Sequence, residues 1–210
     1  MSLVELIAQA DERGLAASGL ACLDRCVPLL GGDDEVLRPL WAGLVDDGEG
    51  WGEKVAKARG ELAPAASESD SGSDSGSDGD VRFGSGSGSG SGGDEEIVVL
   101  ARRMFDAVPL ERSGEALREW ADVCSVSALR IHQLLDPLDA GGDDSVAACR
   151  AGRTEGASHL VAAELRRQVV VLELLAQHGA SGVRQALGVS TEGRRVLRAV
   201  VSRRARGARR

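Results

Sequence analysis

Cys22 and Cys26 stand four residues apart, so a helix through them presents two thiols on one face. Cys124, Cys149 or His132 arriving from elsewhere would complete the donors of a tetrahedral zinc site. The spacing opposes that chemistry, because a zinc knuckle grips its metal with a tight Cys-x-x-Cys loop and the residues between this pair are Leu-Asp-Arg. Cysteine is also a common small core residue, and that is the reading favoured for all four. Glu155 and His159 offer a carboxylate and an imidazole one turn apart, but no second such pair exists to complete a metal cluster, so a solvated helix start is expected there. His178, next to Gly179, suits the negative end of a helix dipole without any catalytic task. Three scattered histidines and no paired Ser, Cys or carboxylate motif supply no nucleophile and no general base. No catalytic, cofactor-binding or metal-ligating residue is therefore assigned, no cofactor is implied, and a non-enzymatic protein is expected.

Two phosphate-binding patterns fail on context. Gly88, Gly90 and Gly93 spell Gly-x-Gly-x-x-Gly ahead of a helix, yet dinucleotide binding needs that turn to leave a strand in a βαβ unit, and here it falls out of a Gly-Ser repeat. A Walker loop needs Gly-Lys-Ser/Thr, and the only lysines are Lys54 and Lys57, outside any Gly-rich stretch.

Charge carries the stronger chemical signal. Nine arginines lie between Arg184 and Arg210 with Glu192 as their only acid, a local charge of +8 on a chain whose total is −8. The remaining segments are acidic: −6 for residues 1–66, −4 for 67–93 and −6 for 94–183. Such a basic end points to an anionic surface, whether nucleic acid, an acidic protein or the chain's own acidic half. The centre Leu187-Gly188-Val189-Ser190 resembles the corner of a helix-turn-helix, with Gly for the tight turn, Val for the core and Ser as the cap of a second helix. That reading buries Val183, Leu187, Val189, Leu197 and Val201 and turns Thr191, Arg195 and Arg198 outward, with Arg203 and Arg204 extending the contact face. Two positions object: Arg194 stands where the motif takes an apolar residue, and Val196 where a base reader belongs. Nucleic-acid contact through this end is thus expected to be weak and non-specific. The principal expectation is a helical interaction or adaptor protein, with a protein partner or self-association, whose Arg195, Arg198, Arg203 and Arg204 contact an anionic partner. A helix-turn-helix regulator using residues 181–204 is the alternative.

The elements that position these side chains are helices. Aromatics are only 2%, Tyr is absent, and the core must be built from Leu, Val and Ala, which favours helix over sheet. Residues 67–93, a run of Ser, Gly and Asp broken only by Val81-Arg82-Phe83, cannot bury a core and read as a disordered acidic linker. The expected architecture is all-α: an N-terminal helical domain over 1–66, the linker over 67–93, a C-terminal helical domain over 94–205 and a basic tail over 206–210. An N-terminal core of 66 residues is marginal, and contact with the second segment, or with another copy of the chain, would relieve it.

Within the first segment, Ser2 and Glu5 form a capping box, Gly14 ends or kinks the helix, and a second helix fills Leu15 to Val27. Pro39 makes the next helix start late or kink, and Trp51 to Leu62 forms the last. In the second, Asp94, Ser113, Ser127 and Thr154 open helices, the last of them the longest, and two shorter ones follow at Ser181 to Leu187 and from Ser190. The most apolar stretch, Leu160 to Ala176, contains Glu164, Arg166, Arg167 and Glu173, too many charges for a membrane span. The N-terminus lacks the basic lead and unbroken apolar run of a signal peptide, so a cytoplasmic location with reduced thiols is expected.

Overall fold

The computed structural model describes residues 1–33, 35–46, 48–62, 92–136, 139 and 142–207, and among these every regular element is helical. Residues 67–91 of the expected linker, with Val81-Arg82-Phe83, Gly88 and Gly90, lie outside the described residues, as do Pro137 and the last three residues of the tail; Gly92 and Gly93, the expected end of the linker, are helical instead. Helix α1 (Leu3–Gln9) opens on the capping box, with Ser2 N–H donating to Glu5 at 2.7 Å and Glu5 N–H returning to Ser2 Oγ at 3.3 Å. Gly14 neither ends nor kinks a helix. Asp11 caps α2 (Glu12–Cys26) by accepting from Gly14 N–H at 2.7 Å, which places that glycine in the first turn.

Every α2 residue from Gly14 to Cys26 is buried. A helix buried on all sides must sit at the centre of its fold, and α2 packs against α6, α8 and α9. Its small residues set the separation: a Cβ on Gly19 would lie 2.7 Å from the ring of Trp120, so that ring rests directly on the α2 backbone. Trp120 Nε1 donates to Met104 O at 2.9 Å, and Trp51 meets the Trp120 ring edge-on with centroids 6.3 Å apart.

The chain leaves α2 through a 3-10 turn (Val27–Leu30) closed by Gly31 at φ +70°, a left-handed conformation that favours glycine. Pro39 falls in the first turn of α3 (Arg38–Ala42), so that helix starts late, as its proline requires. Helix α4 (Trp51–Leu62) follows with the expected bounds. Helix α5 (Gly92–Asp106) begins two residues before Asp94, so Asp94 lies in its first turn rather than at its cap. Ser113 caps α6 (Gly114–Leu135), which runs unbroken through Ser127. That serine is buried inside the helix, correcting the expectation of two shorter helices. Without Gly or Pro between Glu115 and Leu135, nothing in the covalent chain interrupts it.

Helix α7 (Asp143–Arg150) leads to a turn with Gly152 and Gly156 at φ +91° and +79°, which keeps Thr154 out of helix. Ser158 instead caps α8 (His159–His178), and a 3-10 turn (Gly179–Gly182) feeds α9 (Val183–Gly207), the longest element. Side chains from both sides of the undescribed segment, such as Leu20 and Leu23 with Trp120 and Leu172, belong to one hydrophobic cluster. The contact that relieves a marginal N-terminal core is therefore present, and the core runs across the sequence division at 67–93.

Candidate functional site

Within that core lies a chain of polar groups. Helix α2 contributes Asp24 and Arg25, α6 contributes Ser125 and His132, α8 contributes Glu164 and Gln168, and α9 contributes Ser190 and Arg194; all eight are buried. Arg25 meets Glu164 in a fork, Nε to Oε2 at 2.9 Å and Nη2 to Oε1 at 2.5 Å, with both side chains 0% exposed. Gln168, one turn along α8, donates Nε2 to Glu164 Oε1 at 3.0 Å, and Ser125 Oγ donates to Gln168 Oε1 at 2.7 Å. Arg150, which pairs with Asp122, reaches Ser125 Oγ with Nε at 3.0 Å. His132 Nδ1 lies 2.8 Å from Ala128 O, which can only accept, so this nitrogen carries the proton; Nε2 stands 3.6 Å from Glu164 Oε2. A second group joins α2 to α9: Arg194 Nη1 donates to Asp24 Oδ1 at 2.8 Å, and Ser190 Oγ donates to Oδ2 at 2.7 Å.

The electrostatics follow from burial and these partners. Desolvation opposes the charge on Glu164, but Arg25, His132 and the Gln168 amide outweigh it and hold the carboxyl below the ordinary range. Burial pushes His132 below the usual imidazole value, with Glu164 opposing in part. Burial also raises all four thiols, Cys22 to about 12, so their thiolates are disfavoured. The cysteines are free and buried, and no group of three His, Cys, Asp or Glu among the described residues has the arrangement of a metal site. His132 and Glu164 resemble an acid–base pair in type, yet at 2% and 0% side-chain exposure no substrate atom reaches them. Their chemistry is cohesive: they fix the register of α2, α6 and α8.

The expected surface positions land unequally. Glu155 falls in the exposed turn before α8, so it shares no helix face with His159; His178 is exposed at the end of α8. The helix-turn-helix corner is absent, since α9 continues through Leu187-Gly188-Val189-Ser190 without a break. Ser190 caps nothing there and bonds Asp24, and Arg194, the residue that disagreed with the motif, is buried against the same carboxylate. Those two bonds, with buried Val183, Ala186 and Leu197, outweigh the roughly 1 kcal/mol that an interior glycine costs a helix.

Arg195, Arg198 and Arg203 are exposed. Arg195 approaches Glu192 at 3.6 Å with both side chains in solvent. Arg204 turns to the body, donating Nη1 to Leu134 O at 2.6 Å and pairing Nη2 with Asp94 at 3.1 Å. Sequence reasoning passed over Arg184 and Arg206, also exposed. At about 3.6 residues per turn, Arg184, Arg195, Arg198 and Arg206 fall within about 40° of one line along α9, a stripe about 33 Å long, with Arg203 beside it. It also passed over Arg25 and Glu164, because nothing in the neighbouring sequence marks either charge as buried.

Elsewhere the described surface includes shallow depressions. One, about 410 Å³, is lined by Asp11, Glu12, Arg13 and Arg112; another, about 570 Å³, runs along α5 past Val98, Val99, Arg102 and Asp106. Neither includes a histidine or a cysteine. No helix among the described residues is long and apolar enough to cross a membrane. No family model, curated protein or solved structure matches the chain.

Proposed function

We propose that this chain is a non-enzymatic helical interaction protein whose helix α9 contacts an anionic partner, an acidic segment of another protein, through its arginine stripe. The observation that carries this reading is the sorting of arginines on one continuous helix. Arg194 and Arg204 serve the fold, while Arg184, Arg195, Arg198, Arg203 and Arg206 face solvent along a single element. Guanidinium groups spaced along a line suit an extended carboxylate-bearing segment, each able to fork onto a carboxylate. Groove reading of DNA is less well served, because Val196 is half-buried where a base reader would stand and no corner projects a separate recognition helix.

Fluorescence anisotropy with a labelled acidic peptide and, separately, a short DNA duplex tests this. The triple variant Arg195→Gln/Arg203→Gln/Arg206→Gln is expected to lose peptide affinity by at least about ten-fold at unchanged melting temperature, since rim charges act on encounter and specificity. Equal peptide binding by variant and parent overturns the proposal. A tight single duplex site that survives physiological salt replaces it with a nucleic-acid-binding reading.

A further inference from the structure

Helix α5 carries a face that the fold does not use. Val99 is 59% exposed on it, with Glu95 one turn before and Arg103 one turn after, all three within about 80° of arc at about 3.6 residues per turn. Among the described residues no hydrogen bond or ion pair engages the side chain of Glu95, Arg103 or Asp106, all of them exposed. Their neighbours are committed to the body: Asp94 pairs with Arg204, Glu96 with Arg130, and Arg102 donates to Leu62 O. The depression of about 570 Å³ lies on this face, lined by Val98, Val99, Arg102, Arg103, Asp106 and Ala107. At four-residue spacing these six form two ridges, Val98-Arg102-Asp106 and Val99-Arg103-Ala107, and the depression is the groove between them. Such a groove receives a ridge of another helix.

We infer that this face is a self-association surface whose occupant is α5 of a second copy of the chain, antiparallel about a two-fold axis through Val99. Charge complementarity selects both the occupant and the register. Glu95 and Arg103 stand four residues either side of the axis, so each meets its opposite on the other copy and the pair forms twice. Val99 meets its own copy on the axis, where both lose water. Asp106 falls opposite Gly92, at the positive end of the other helix. Other registers put like charges together. An axis between Leu100 and Ala101 sets Glu95 against Asp106, one between Arg102 and Arg103 sets guanidinium against guanidinium, and parallel pairing sets every charge against its own kind. The contact is small, one helix face about 22 Å long, and belongs with interfaces below the roughly 1,200 Å² of stable dimers, so a dissociation constant on the order of 0.1 mM is expected. This surface is distinct from the arginine row of α9, and the inference does not rest on the function proposed above.

Sedimentation equilibrium of the full chain between about 10 µM and about 1 mM tests it, the range in which small, transient interfaces associate. The parent is expected to pass from monomer to dimer, half-associated near about 0.1 mM. Val99→Asp, which sets two carboxylates on the axis, and the single reversals Glu95→Arg and Arg103→Glu are each expected to weaken association by at least about ten-fold. All three positions are exposed, and thermal melts confirm that each variant remains folded. An equimolar mixture of Glu95→Arg and Arg103→Glu chains is expected to regain the parent's association, because one copy's row is then wholly cationic and the other's wholly anionic. The double reversal Glu95→Arg/Arg103→Glu is expected to regain it too. A parent that stays monomeric throughout overturns the inference, as does a dimer that the three changes leave intact or one that they abolish and neither the mixture nor the double reversal restores. A dimer that survives them and is lost in Arg195→Gln/Arg203→Gln/Arg206→Gln forms through α9 and overturns it as well. No outcome reads peptide binding, so the proposed function stands or falls separately.

Discussion

Arg25 and Glu164 lie 139 residues apart in sequence, and nothing local distinguishes either from a surface charge. What joins them is the burial of α2 from Gly14 to Cys26, which leaves Arg25 no route to solvent. An ion pair at 0% exposure is stable only while both halves remain: Arg25→Met or Glu164→Met alone is expected to cost about 3–5 kcal/mol, and the double change Arg25→Met/Glu164→Met much less than the sum. Urea melts of the three variants check this, and additive losses would contradict it. His132 makes the core acid-sensitive. Its folded pKa lies below the ordinary 6.5, so as pH falls through 6.5 the unfolded chain takes up a proton that the folded chain refuses, and stability declines. Glu164, held below 4.5, adds a second loss as pH falls through its own folded value. Melting temperature should therefore drop between pH 7.5 and 5 in the parent and drop less in His132→Gln; an equal drop in both would contradict the assignment. At this scale the sequence did speak once, at Arg194: its disagreement with the helix-turn-helix pattern marked a residue committed to Asp24.

Element boundaries were legible where a cap or a proline fixed them. Ser2 with Glu5, Ser113, Pro39 and the span Trp51 to Leu62 all follow from side-chain caps and backbone restriction that act within a few residues. Boundaries that tertiary packing decides were not legible. Ser127 and Ser190 are competent caps by type, yet each is buried in the middle of a helix. Gly188 discriminates the two readings of α9. In a corner it would need the freedom of glycine, whereas in the continuous helix a Cβ there meets nothing within 4 Å. Gly188→Ala is accordingly expected to stabilise the protein by about 0.5–1 kcal/mol, because alanine costs the helix less. A destabilisation in thermal melts would restore the corner. Gly193 is the opposite case, since a Cβ there would lie 2.2 Å from Arg25 Cδ. Its absence of a side chain lets α9 approach the buried guanidinium, a requirement that local sequence does not reveal.

For the whole molecule, composition made the helical class legible, since a chain with 2% aromatics and no Tyr has little to build sheets from. The sharing of one core by the segments on either side of residues 63–91 was legible only as a need, from the small size of the first segment; that helices far apart in sequence bury α2 together was not. Charge separation was legible as a sum and not as a surface: the segment 184–210 sums to +8, but within it Arg194 is buried against Asp24 and Arg204 turns to the body. The proposed function requires the outward row of α9 arginines to grip anions as a unit. Salt dependence measures it most directly, with duplex DNA as a polyanion of known counterion behaviour. The slope of log affinity against log salt is taken for the parent and for Arg195→Gln/Arg198→Gln/Arg203→Gln/Arg206→Gln. Each lost phosphate contact lowers the slope by about 0.9, so the quadruple variant is expected to be flatter by up to about 3.6. Identical slopes in the two proteins would contradict it.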